Sequence, residues 1–187
     1  SAVNETTSGT ITGTETWSGT MNLNGDILVA EGSKLIVNAG TTINIPYGKF
    51  IDVAGAICIG DTSCGASSGS ASNMARFVWS IPSASDYTKS GRCYDNTTSY
   101  LNNVDAACGS GMIIRSTINQ ALTSINYAHF ENTYGYPMYV PSLQSVQYGA
   151  LVFDGSSTTA NGVSFKDVNT SNVLAVCLLY TSPSPRD

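Results

Sequence analysis

The chain is 187 residues long and holds 8 Lys and Arg, 13 Asp and Glu and one His, for a net charge of −5. So few cations leave no electrostatic footprint for nucleic acid or for an anionic membrane surface, and 42% hydrophobic residues exclude a disordered polar tract. Ser (25) and Thr (20) make up about a quarter of the chain, and together with abundant Val, Ile, Tyr and Gly they suit the strands and turns of one all-β domain better than helices.

Residues 1–16 are Thr-rich and, apart from Ile11, nearly devoid of large apolar groups. This polar N-terminal segment is expected to be a cap strand, a flexible arm or a strand donated to a neighbour. The chain starts at Ser1 with no Met and no basic-then-apolar leader, which is the expectation for a mature exported protein. From residue 17 to 61 the apolar residues fall in i, i+2 pairs: Met21/Leu23, Ile27/Val29, Leu35/Val37, Ile43/Ile45, Ile51/Val53 and Ile57/Ile59. Residues two apart share a face on a strand and diverge on a helix, so these are strands. The first members step by 6, 8, 8, 8 and 6 residues, always even, with Gly25, Gly32, Gly40, Gly48, Gly55 and Gly60 between the pairs. Two layouts fit short strands separated by glycine corners: an antiparallel meander of the β-sandwich kind, or a solenoid of roughly 24 residues per coil whose strands stack in parallel. Corners such as Ala30-Glu31-Gly32-Ser33 and Asn38-Ala39-Gly40-Thr41 are not hairpin dipeptides, and the constant even step favours the solenoid.

The stretch from Gly25-Asp26-Ile27-Leu28-Val29 through Gly32-Ser33-Lys34-Leu35-Ile36-Val37 to Gly40-Thr41-Thr42-Ile43 resembles the first coils of secreted right-handed parallel β-helix surface proteins of the pectin-lyase-like superfold, and Ile51-Asp52-Val53-Ala54-Gly55-Ala56-Ile57 is similar to the segment that follows there. Ile125-Asn126-Tyr127-Ala128-His129-Phe130-Glu131-Asn132 and Asn161-Gly162-Val163-Ser164-Phe165-Lys166-Asp167-Val168, within 113–176, look like later coils. The resemblance implies a right-handed parallel β-helix. Enzymes of that superfold commonly cleave acidic polysaccharides with clustered acids, often calcium, and an Arg or Lys base on one outer face. Here that would draw on Asp154, Asp167, Glu131, Lys166 and Arg115.

Residues 62–112 leave the pattern: a small polar run from Thr62 to Asn73, a restored strand at Phe77/Trp79, then Ser80 to Gly111 without period. They are expected to form a loop-rich, disulfide-pinned insertion. Cys64, Cys93 and Cys108 lie in this part of the chain and Cys58 just before it; four cysteines allow three pairings, of which Cys58–Cys64 with Cys93–Cys108 is the local choice. Disulfides imply an oxidising compartment. Asn4, Asn96 and Asn169 open three glycosylation sequons compatible with export, although a chain rich in Asn and Thr acquires several by chance.

Residues 177–187, Cys177 to Asp187, resemble a translated adaptor from a sequencing library and are set aside from fold reasoning, which leaves an even number of cysteines. No natural run approaches the roughly 18 apolar residues of a membrane span.

Chemistry-bearing motifs are sparse. The sequence has no CxxC, HExxH, GxSxG or phosphate-binding loop, and no spacing ties His129, the lone histidine, to a Ser/Asp pair. No catalytic residue, metal ligand or cofactor is therefore expected. Tyr134, Tyr136 and Tyr139, with Tyr148 nearby, are the best candidates for a ligand or partner surface, since tyrosines make flat amphipathic platforms for sugars or proteins; the alternative is that they pack the solenoid. The expected function is that of an extracellular structural or adhesive protein whose partners are copies of itself, by stacking into a filament, or glycans. A fragment of a polysaccharide lyase or hydrolase, or a carbohydrate-binding module, are the alternatives.

Overall fold

The computed structural model describes residues 5–60, 64, 68–81, 110–115, 123–140, 144–154, 159–168 and 172–177, and of 137–140, 145–147 and 172–177 only the backbone. The strands come in threes. The first coil is β1 (Gly9–Ile11), β2 (Thr14–Trp17) and β3 (Thr20–Asn22), and the second is β4 (Ile27–Val29), β5 (Lys34–Val37) and β6 (Thr42–Ile45). The third is β7 (Ile51–Val53), β8 (Ala56–Ile59) and β9 (Ala75–Trp79), and the fourth β10 (Met112–Arg115), β11 (Ser124–Asn126) and β12 (Ala128–Glu131). After β13 (Tyr136–Val140) comes a fifth coil of β14 (Ser145–Asp154), β15 (Thr159–Asn161) and β16 (Ser164–Lys166), and β17 (Asn172–Cys177) begins another.

Each strand pairs in parallel with its counterpart one coil away: the first sheet runs β1-β4-β7-β10-β14, the second β2-β5-β8-β11-β15 and the third β3-β6-β9-β12-β16. Among the described strands only β13 pairs antiparallel, with β14. This is a parallel β-helix, and the β-sandwich layout is ruled out by the parallel ladders. The step from Ile27 to its partner Ile51 is 24 residues. Where the chain makes long excursions the coils still close: Ile51 pairs with Met112 across the whole loop-rich segment. That segment is interrupted by β9, which sits in the third sheet between β6 and β12.

Strand alternation explains the core. In the first sheet the inward positions ladder through Ile11, Val29, Val53, Ile114 and Phe153, and in the second through Trp17, Val37, Ile59 and Ile125. In the third they run Met21, Ile43, Phe77, Phe130 and Phe165. All are buried except Phe165, which packs partly buried against the rest. Phe77 and Phe130 stack at 5.1 Å, and Phe130 and Phe165 at 5.6 Å. Each ring removes its apolar area from water, about 1.5–3 kcal/mol for a fully buried side chain, and gains the pair geometry in addition.

The coil begins earlier than the pairs of apolar residues suggest, at Gly9, inside the polar N-terminal segment. The reason is visible at Glu15, which occupies an inward register position beside Leu35. Its carboxylate accepts hydrogen bonds from the Trp17 indole Nε1 at 2.6 Å, the Thr6 hydroxyl at 2.7 Å and the Thr6 backbone N–H at 3.2 Å. Thr7 O meanwhile accepts from Asn24 N–H at 2.9 Å. Glu5–Ser8 thus tie one side of the first described coil to another, and Trp17, Ile11 and Met21 are buried there.

Candidate functional site

Two clusters of charged side chains stand on the outer faces. On the first sheet, neighbouring coils place Asp52 (β7), Arg115 (β10) and Asp154 (β14) side by side, because Met112 pairs with both Ile51 and Leu151 and Arg115 with Asp154. Arg115 donates Nε to Asp52 Oδ1 at 2.8 Å and Nη2 to Asp52 Oδ2 at 3.1 Å, a bidentate pair. Nη2 also donates to the Tyr136 hydroxyl at 2.9 Å, and Nη1 lies 3.6 Å from Asp154 Oδ2. Burial alone would make Arg115 easier to deprotonate; the hydrogen bonds and charge of Asp52, then Tyr136 and Asp154, outweigh it and hold the guanidinium charged. Burial pushes the Tyr136 hydroxyl above the ordinary tyrosine range, with the Arg115 charge opposing.

Tyr136 reaches this cluster because β13 folds back on β14. The first half of β14 pairs antiparallel with β13, from Tyr136↔Gly149 to Val140↔Ser145. The second half, Leu151 to Asp154, pairs with β10 and β17. The hairpin is fastened to the second and third coils by edge-on aromatic contacts, Tyr134 with Tyr47 at 5.4 Å and Tyr136 with Phe50 at 5.6 Å. Tyr134, Tyr136 and Tyr148 are half-buried. The side chain of Tyr139 lies outside the described residues. For Tyr134 and Tyr136, then, the rings serve as packing between hairpin and coils.

The second cluster is on the outer face of the third sheet. Parallel register sets Arg76, His129 and Ser164 in one row and Glu131 and Lys166 in the next. His129 Nδ1 is 2.6 Å from Ser164 Oγ, and Nε2 is 3.3 Å from Glu131 Oε1. The same Glu131 oxygen lies 3.7 Å from Arg76 Nη2 and 3.9 Å from Lys166 Nζ. Asp167 stands apart, exposed on the corner after β16 with φ 52°.

The acids and cations read from the sequence as one set thus divide between two faces: Arg115 and Asp154 on one, Glu131 and Lys166 on the other. Asp52 and Ser164 were not singled out by sequence; their partners lie 63 and 35 residues away. Among the described residues no group of three or more His, Cys, Asp or Glu is placed to hold a metal ion. Cys58 and Cys64 form a disulfide with Cα atoms 5.1 Å apart, closing the corner after β8. Cys93, Cys108, Asn4, Asn96 and Asn169 lie outside the described residues. No helix among the described residues is long and apolar enough to cross a membrane.

No protein-family model, no curated protein and no solved structure matches the chain.

Proposed function

We propose that the chain is an extracellular structural or adhesive solenoid, a coil stack whose outer charges brace it. The observation that carries this reading is Arg115. A single guanidinium ties Asp52 of the third coil and Asp154 of the fifth to its own fourth coil, and binds the hairpin through Tyr136. A base meant for a bound polysaccharide would have its donors facing a cleft; here they are directed at neighbouring coils. The remaining outward rows are largely uncharged, with Thr10, Thr16, Thr20, Asn22 and Asn44 among them, and Asn44 Nδ2 donates to Asn22 Oδ1 at 2.9 Å across coils. The Cys58–Cys64 bridge supports an oxidising compartment.

Labelling of intact source cells with a membrane-impermeant reagent tests the reading. The expected result is labelled protein at the surface or in the medium with Cys58 and Cys64 bridged. Unlabelled protein with both thiols reduced would overturn it.

A further inference from the structure

We propose that Ser164 is an activated nucleophile that accepts an acyl group from a carboxylic ester, with His129 as its base and Glu131 as the residue that positions the base. This goes beyond the structural reading and stands independently of where the protein resides. The arrangement follows from the parallel register of β12 and β16, which sets His129 opposite Ser164 and Glu131 one step along on the same face.

The hydrogen bonds have a direction. A carboxylate facing His129 Nε2 at 3.3 Å favours the ring tautomer that carries its hydrogen there. That leaves the Nδ1 lone pair directed at Ser164 Oγ, 2.6 Å away, where it accepts the hydroxyl hydrogen. Nucleophile, base and orienting acid are then in the order that activates a serine, although the two ring nitrogens exchange the roles they hold in the familiar serine hydrolases. Arg76 and Lys166 hold Glu131 from either side. Among the described residues the hydroxyl also lies 3.7 Å from Met74 Sδ, a weak acceptor.

In the step itself Oγ bonds to the ester carbonyl carbon as its proton passes to His129 Nδ1. The carbon–oxygen bond to the leaving alkoxide then breaks, the proton goes from Nδ1 to that oxygen, and the products are an alcohol and acyl-Ser164.

The full chain, with its disulfide intact, is treated with p-nitrophenyl acetate while nitrophenolate release and the acetylated peptide are followed. The folded protein is expected to acetylate at Ser164 about a hundredfold faster than the urea-unfolded chain, in the range a positioned base supplies. S164A and H129A lose that excess. E131Q keeps the shape but removes the charge; it is expected to lower the rate about tenfold, with E131D restoring part of the loss, a pattern that loosened packing alone would not give. Ser164 lies on the outer face, so S164A keeps the core intact, and its unfolding midpoint verifies this. Acetylation of Ser164 no faster than in urea, or nitrophenolate release unchanged in S164A, would overturn the proposal.

Discussion

Arg115 joins three coils and a hairpin, so its removal should be felt beyond a single ion pair. More than a third of its side chain is exposed, at 38%, and the loss is accordingly discounted from the 3–5 kcal/mol of a buried broken pair to about 1–2 kcal/mol for R115M, read as a shift of the urea midpoint. Y136F removes one hydrogen bond to a charged donor and should cost about 1 kcal/mol. The double variant should lose less than the sum, since the two share an interaction, whereas strict additivity would mean that the hydroxyl and the guanidinium do not communicate. The Tyr136 hydroxyl, shifted upward by burial, also links stability to pH. In the folded state it keeps its proton after the unfolded chain has lost it, so its contribution is fully present and independent of pH below about pH 10 and is lost as pH rises above it. Wild type should therefore lose stability more steeply than Y136F as pH rises above about 10; parallel curves would remove Tyr136 from the explanation.

The corners decide whether strands can stack. Gly32 and Gly60 share a φ of +79°, a region that L side chains rarely adopt, but they differ in surroundings. A Cβ on Gly32 meets nothing within 4 Å, whereas one on Gly60 would overlap the carbonyl oxygen of Asn126 in the next coil. G32A should cost only the backbone term, about 1–2 kcal/mol, and G60A about 3 kcal/mol or more because a coil must shift; equal losses would show that the close approach is absent. These elements were legible to different degrees. The i, i+2 pairs gave β4 to β8 directly, because two inward aliphatic residues per strand are all that a narrow solenoid core accepts. β1 and β2 stayed hidden because Glu15 stands where the period asks for an apolar group, turned to hydrogen bonding with Thr6 and Trp17. The two charged clusters stayed hidden for another reason. Bringing Asp52 to Arg115, or His129 to Ser164, requires knowing how many residues each coil spends in its loops, and loop length leaves no periodic trace.

At the scale of the molecule, the ion pairs described on the outer faces, Arg115 with Asp52 and Asp154 and Glu131 with Arg76 and Lys166, join neighbouring coils. On the described strands Thr10, Thr16 and Thr20 stand outward, exposed, while Ile, Val, Leu and Phe fill the inward positions. Both the bracing by Arg115 and the juxtaposition of Ser164 with His129 depend on one property, the parallel register between successive coils. That register is tested by an engineered bridge. Asn22 and Asn44 are register partners on the outer face of the third sheet, and neighbouring strands lie about 4.8 Å apart, within the span a disulfide closes. In the N22C/N44C variant, peptide mapping after mild oxidation under native conditions should recover the residue 22 to residue 44 crosslink nearly quantitatively, with a raised unfolding midpoint. Thiols that stay free in the folded protein, and link only after unfolding, would contradict the coil stack and everything built on it.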